Sequence, residues 1–194
     1  MRCSSSAVRS LSAGMLALLM TLVAIESASA QATLGFRERF TGPSATGWSG
    51  GSFYSLPTGG ADGASDAFLQ VETIGGAANL ATRSFGPEYV GDWTAAGITQ
   101  IRLWLNDVGI DQALELHVDL GGLNNRWLYT PSFQPPSHAW AEFIVDLTNA
   151  ANFTQIISGG TFAQALADVQ VLQVRHDLPP FVQSPNMILA GFGL

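Results

Sequence analysis

The chain has 194 residues, 8 Lys+Arg against 15 Asp+Glu and a formal charge of −7, and all eight cations are arginine. An acidic chain without lysine lacks the clustered cations that nucleic acid or an anionic membrane surface needs, which excludes both as partners. The one cysteine is Cys3, so the rest of the chain has neither a disulfide nor thiol chemistry.

Residues 1–30 read as a cleaved secretory signal peptide. Arg2 and Arg9 precede the apolar run 14–25, and Ser27 to Ala30 supply the small residues for cleavage after Ala30. An apolar run of 12 is short of the roughly 20 residues a membrane-spanning helix needs, so no membrane insertion is expected of the mature chain. Removing Arg2, Arg9 and Glu26 leaves a formal −8 on residues 31–194, enough chain for one domain.

From there on, short β-branched and aromatic runs alternate with Gly, Pro and Asn/Asp clusters. Strands are predicted near 34–40, 67–73, 78–84, 98–106, 112–120, 125–130, 140–147, 168–176 and 187–194. The loop 59–66, with Asp62 and Asp66 among glycines, reads as an acidic turn, since it lacks the carboxylate spacing of a calcium loop. Gly121 to Asn125 is a tight-turn composition that should join 112–120 and 125–130 as a hairpin. Residues 161–169 are the one helical stretch, with Thr161 as N-cap. Nine strands and one short helix predict an all-β fold, a two-sheet antiparallel β-sandwich of jelly-roll type over residues 31–194.

The segment 113–120 raises the functional question. Leu114, Leu116, Val118 and Leu120 share one parity, and Glu115, His117 and Asp119 the other. In a strand the first set enters the core and the second faces solvent. On the strand 98–106 the outward parity carries Arg102, Trp104 and Asn106, and across the hairpin either Trp127/Tyr129 or Arg126/Leu128 joins, depending on register. Aromatic rings beside Asn, Asp, Glu and Arg suit sugars, which stack on rings and hydrogen-bond through hydroxyls. A polar outer sheet face is the plainer reading of the same row. As metal ligands, residues two apart on a strand lie ~6.5–7 Å apart, too far for a common ion at about 2 Å. As a glycosidase pair, Glu115 and Asp119 stand ~13 Å apart on one strand, outside the ~5–9.5 Å window; Glu115 against Glu142 stays open. No nucleophile elbow, zinc motif or phosphate loop is present.

The order of features also resembles a known family. Residues 36–51 place an acidic residue before a Phe and a Gly-Trp after a short loop. Residues 59–71 run from a Gly/Asp loop into a strand, residues 138–178 give a Trp-led strand, a short helix and a strand ending in Val-Arg, and 186–194 close the pattern. Together they resemble secreted bacterial jelly-roll modules similar to the laminin B (type IV) domain and related carbohydrate-binding β-sandwiches. The resemblance implies a non-catalytic extracellular module that binds polysaccharide or envelope matrix. It also implies a structural Ca²⁺ for which Glu38 matches one ligand, the second having no counterpart before Leu194. The expected function is accordingly a secreted carbohydrate- or matrix-binding module, with a secreted carbohydrate-active enzyme or a purely structural envelope protein as alternatives.

Overall fold

A computed structural model describes residues 31–42, 47–74, 76–109 and 112–194. The expected signal peptide, residues 1–30, lies outside them. In chain order the strands are β1 (Trp48–Ser49), β2 (Ser52–Leu56), β3 (Phe68–Glu72), β4 (Ala78–Asn79), β5 (Ala81–Ser84), β6 (Gln100–Asp107), β7 (Leu116–Gly122), β8 (Asn125–Tyr129), β9 (Ala141–Asp146), β10 (Phe153–Ile157), β11 (Val171–His176), β12 (Met187–Ile188) and β13 (Gly191–Gly193). The helix α1 (Phe162–Ala167) lies between β10 and β11.

These strands form the antiparallel sandwich that the alternating pattern predicts. One sheet runs β1-β5-β11-β7-β8-β10, the other β2-β3-β13-β6-β9, and β4 pairs with β12 as a separate two-stranded piece. The inner face of the six-stranded sheet contributes Leu116, Val118, Leu120, Leu172 and Val174. The five-stranded sheet answers with Val71, Leu103, Leu105, Val145 and Phe192. All are buried in one hydrophobic cluster. Their burial removes apolar surface from water at roughly 25 cal/mol per Å², the main favourable term in folding.

Local chemistry accounts for the remaining elements. The β7–β8 hairpin turns at Leu123–Asn124, with Gly122 opposite Asn125, as the turn composition predicts. Thr161 caps α1 in a reciprocal capping box with Gln164, also as predicted.

Several expectations are corrected. Residues 34–40 are not a strand: the chain turns at Leu34–Gly35, and Phe40 sits at φ 47°, a left-handed conformation that strand pairing cannot use. β1, β2 and β10 were absent from the predicted pattern; the Gly/Ser-rich sequence of the first two shows no alternation, and Gly50 and Gly51, at φ 104° and 66°, bend the chain between them. The stretch 78–84 divides at buried Leu80, so that β4 and β5 join different sheets. The last stretch divides likewise into β12 and β13.

Leu116 is completely buried and faces the opposite sheet. Leu116→Ala is therefore expected to cost about 2–5 kcal/mol of stability, through lost burial and a residual cavity. Denaturant unfolding measures this, and a loss below ~1 kcal/mol would contradict the core placement.

Candidate functional site

The sequence pattern puts Glu115, His117 and Asp119 on a solvent-facing surface beside Arg102 and Trp104. The structure corrects this twice. First, β6 belongs to the five-stranded sheet and β7 to the six-stranded one, so the two groups share no face. Second, β7 is buried along its whole length, with His117 1% and Asp119 0% exposed. Alternation was read correctly, but it does not reveal that a later segment covers the polar side.

That cover is the loop 177–186. Phe181 packs edge-on against the His117 ring at 4.9 Å, and Arg175 donates to the Gln183 carbonyl at 3.1 Å and to the Val182 carbonyl. Beneath the loop, Asp119 accepts from Arg126 and, at 3.4 Å, from Arg175, while Arg175 also pairs with Asp177. Gln173 Oε1 accepts from Arg126 at 2.9 Å. Burial pushes the Asp119 carboxyl upward, opposed by both arginines. A permanent arginine cation lies on each of its oxygens.

The His117 Nδ1–H donates to the Tyr129 carbonyl at 2.9 Å, which leaves Nε2 as the bare nitrogen of the neutral ring. Burial holds this imidazole below its usual range. Glu115 lies just before β7, half-buried, and its backbone N–H donates to His176 Nδ1 at 3.1 Å. Glu142 is on the outer face of the other sheet, paired with Arg102, so the Glu115/Glu142 combination does not face one cleft.

Register also settles the hairpin. Asp119 pairs with Leu128 and Gly121 with Arg126, so Arg126 and Leu128 share the polar side. Trp127 and Tyr129 point to the inner side instead. Tyr129 is buried against Phe133 and Phe153, and half-buried Trp127 packs on Phe162 of α1. These two expected ligand contacts are core and core-edge aromatics.

Arg102 and Trp104 do face outward, opposite Ile144 and Glu142 of β9, while Asn106 on the same side is buried. They border a cleft of about 480 Å³, the size range of small-molecule sites. One wall is the segment 33–40, with Phe36, Arg37 and Glu38; another is the loop carrying Asp66; a third is the loop carrying Glu88, Tyr89 and Trp93. Half-buried Trp104 and Trp140 line the more open part, and buried Trp48 and Trp93 the deeper part.

The position of Trp140 depends on a glycine. A Cβ on Gly193 would meet the Trp140 ring at 2.8 Å and Phe68 at 3.2 Å, so the bare backbone of β13 lets both rings lie against the sheet. Trp140 Nε1–H donates to the Gly59 carbonyl at 2.8 Å, and Phe68 packs edge-on to Trp140 at 5.2 Å. The Arg37 guanidinium lies 5.3 Å over the Trp104 ring and pairs with Asp62. Arg102 pairs with Glu142 at 2.8 Å.

Glu38, the calcium ligand implied by resemblance, is engaged otherwise. Its Oε1 accepts from the N–H groups of Arg39 and Phe40 at 3.0 and 3.3 Å, and its Oε2 from the Tyr89 hydroxyl at 3.2 Å. Burial, and then the Glu38 charge, push the Tyr89 hydroxyl well above its ordinary value, so it remains a neutral donor. Among the described residues no group of three or more His, Cys, Asp or Glu converges as a metal site.

Sequence reasoning missed Tyr89, Trp93 and Trp140, because it searched strand parities while these residues sit in loops or at a strand margin. The usable signal was the density of aromatic and acidic residues in the Gly/Pro-punctuated stretch 85–93.

No family model and no curated protein matches the chain. Among solved structures, one described as an exo-beta-agarase is similar with a TM-score of 0.48 and 9% identity, over 76% of this chain. The match spans 22% of that structure's length. Among the described residues no helix is long and apolar enough to cross a membrane.

Removing the Asp119 carboxylate would leave Arg126 and Arg175 buried without it. Asp119→Ala is expected to cost about 3–5 kcal/mol in denaturant unfolding, far more than an ordinary surface change. Because the His117 pKa is lowered on folding, the unfolded chain takes up the proton more readily. The neutral ring's contribution is then complete above the unfolded value of 6.5 and lost as pH falls below it. His176, lowered by burial as well, acts in the same direction. The melting temperature should therefore fall from about pH 7.5 to about pH 5.5, and His117→Gln should flatten that fall.

Proposed function

We propose that the cleft beside β6 binds carbohydrate and that the protein is a secreted, non-catalytic carbohydrate- or matrix-binding module. The observation that carries this reading is a cleft of about 480 Å³ lined by the rings of Phe36, Tyr89, Trp104 and Trp140 together with the carboxylates of Glu38, Asp66 and Glu88. Flat apolar faces interleaved with hydrogen-bonding groups match a sugar ring, which has apolar C–H faces and a rim of hydroxyls. Secretion is supported by the basic, apolar and small-residue pattern of residues 1–30.

The earlier sugar-contact surface is thereby divided. Arg102 and Trp104 remain in the proposed site. Asn106, Glu115, His117, Asp119, Trp127 and Tyr129 do not line this cleft and stand outside the proposed site. Enzymatic activity is the second reading, favoured by the three carboxylates of the cleft. Two of them would have to stand ~5–5.5 or ~6.5–9.5 Å apart across a glycosidic bond.

A glycan array and a panel of insoluble polysaccharides, each with and without Ca²⁺, test the reading. Binding is expected without release of reducing ends. Reducing-end release that disappears in Glu38→Gln or Glu88→Gln would replace the binding role by hydrolysis. A calcium-dependent component lost in Glu38→Gln would place the ion implied by resemblance at that residue. Trp104→Ala should weaken glycan binding by roughly tenfold or more, as loss of an aromatic anchor does. Its melting temperature should stay within a few degrees of the parent, because the ring is only half-buried. Unfolding of Trp104→Ala would instead assign the ring to the core.

A further inference from the structure

The charges around the cleft carry information about which glycans it can take. Its two cations, Arg37 and Arg102, are both engaged already. Arg37 pairs with Asp62 and covers Trp104, and Arg102 pairs with Glu142. Each guanidinium keeps further N–H donors, but its charge is already balanced by a carboxylate, so an anionic ligand gains little net attraction from either.

The remaining charged groups of the lining are Glu38, Asp66 and Glu88. Ionised carboxylates are acceptors only. They match the hydroxyl donors of an uncharged sugar. They cannot hydrogen-bond the carboxylate group of a uronate or the sulfate group of a sulfate ester, which are themselves acceptor-only, and like charges brought together in a partly dry cleft repel. The chain's formal charge of −7 extends that repulsion to a polyanion at longer range.

We infer that the cleft selects uncharged glycans and rejects uronate- and sulfate-bearing ones, a refinement that rests on the carbohydrate reading above. Glu142 and Asp62 then act as specificity-determining residues. By balancing the charges of Arg102 and Arg37, they keep the cleft from becoming an anion site.

The test compares polymers that share a backbone and differ in charge, at about 0.15 M salt where surface charges act over ~8 Å. Methyl-esterified polygalacturonan is set against its de-esterified form, and dextran against dextran sulfate. Laminarin serves as a further neutral probe, alginate as a further anionic one and chitosan as a cationic one. The expected result is binding to at least one neutral polymer, at least tenfold stronger than to any anionic polymer. Glu142→Gln, which frees Arg102 on an exposed strand, should strengthen retention on anionic polymers about three- to fivefold and leave the neutral ones little changed. Anionic polymers bound as tightly as neutral ones by the parent protein would overturn the inference while sustaining carbohydrate binding. A preference for chitosan over every neutral polymer would overturn it as well, by showing that charge rather than hydroxyl donation is read. No retention on any polymer would overturn the carbohydrate reading itself, and this refinement with it.

Discussion

Arg175 carries a full positive charge at a position with no solvent exposure, and much of the molecule is arranged around that fact. Removing a guanidinium from water costs several kcal/mol unless partners replace the lost hydration. Here the replacement comes from Asp119 on the neighbouring strand, from Asp177 just beyond its own strand, and from the carbonyls of Val182 and Gln183. The last two can be supplied only if the chain after β11 folds back over the sheet. The charge and the covering loop therefore require one another. What would otherwise be the wet face of the six-stranded sheet becomes a second, polar interior, with Phe181 closing over His117.

This arrangement leaves the two sheets unequal. The six-stranded sheet is covered on both sides around β7, while the outer side of the five-stranded sheet around Trp104 remains partly open. Aromatic side chains collect there for a geometric reason. β13 ends in Gly193, and the absent side chain makes room for Trp140 and Phe68 to lie against the backbone. The segment 33–40 then lies alongside, held by the Glu38–Tyr89 contact and by Arg37. The cleft results from loops gathering beside β6, next to the bare backbone of Gly193.

The sandwich was legible in the sequence because its strongest elements are long and cleanly alternating. β6, β7, β9 and β11 carry branched or aromatic residues on one parity, and the hairpin and the capped helix had explicit turn and cap chemistry. β1 and β2 were not legible, since Gly and Ser obscure the period and pairing there is decided by partners far along the chain. Which faces were wet was the larger difficulty. A polar parity on β7 is consistent both with solvent and with a buried ion network, and only the return of residues 177–186 separates the two. Arg102 and Trp104 could be placed from parity alone, because the outer side of β6 stays at least partly exposed at those two positions. Tyr89, Trp93 and Trp140 depend on how loops converge, which no local pattern encodes.

Both sheets are joined across their middles by strands that come late in the chain. β13, residues 191–193, lies between β3 and β6 and is the link between the pair β2-β3 and the pair β6-β9. β11, residues 171–176, likewise lies between β5 and β7. A chain emerging from its N-terminus can thus form separate hairpins and fragments of sheet, but neither sheet becomes continuous until those residues have appeared. Most of the contacts of the fold are then long-range in sequence, which slows folding. In such a topology the strands that complete each sheet are made after the strands they join.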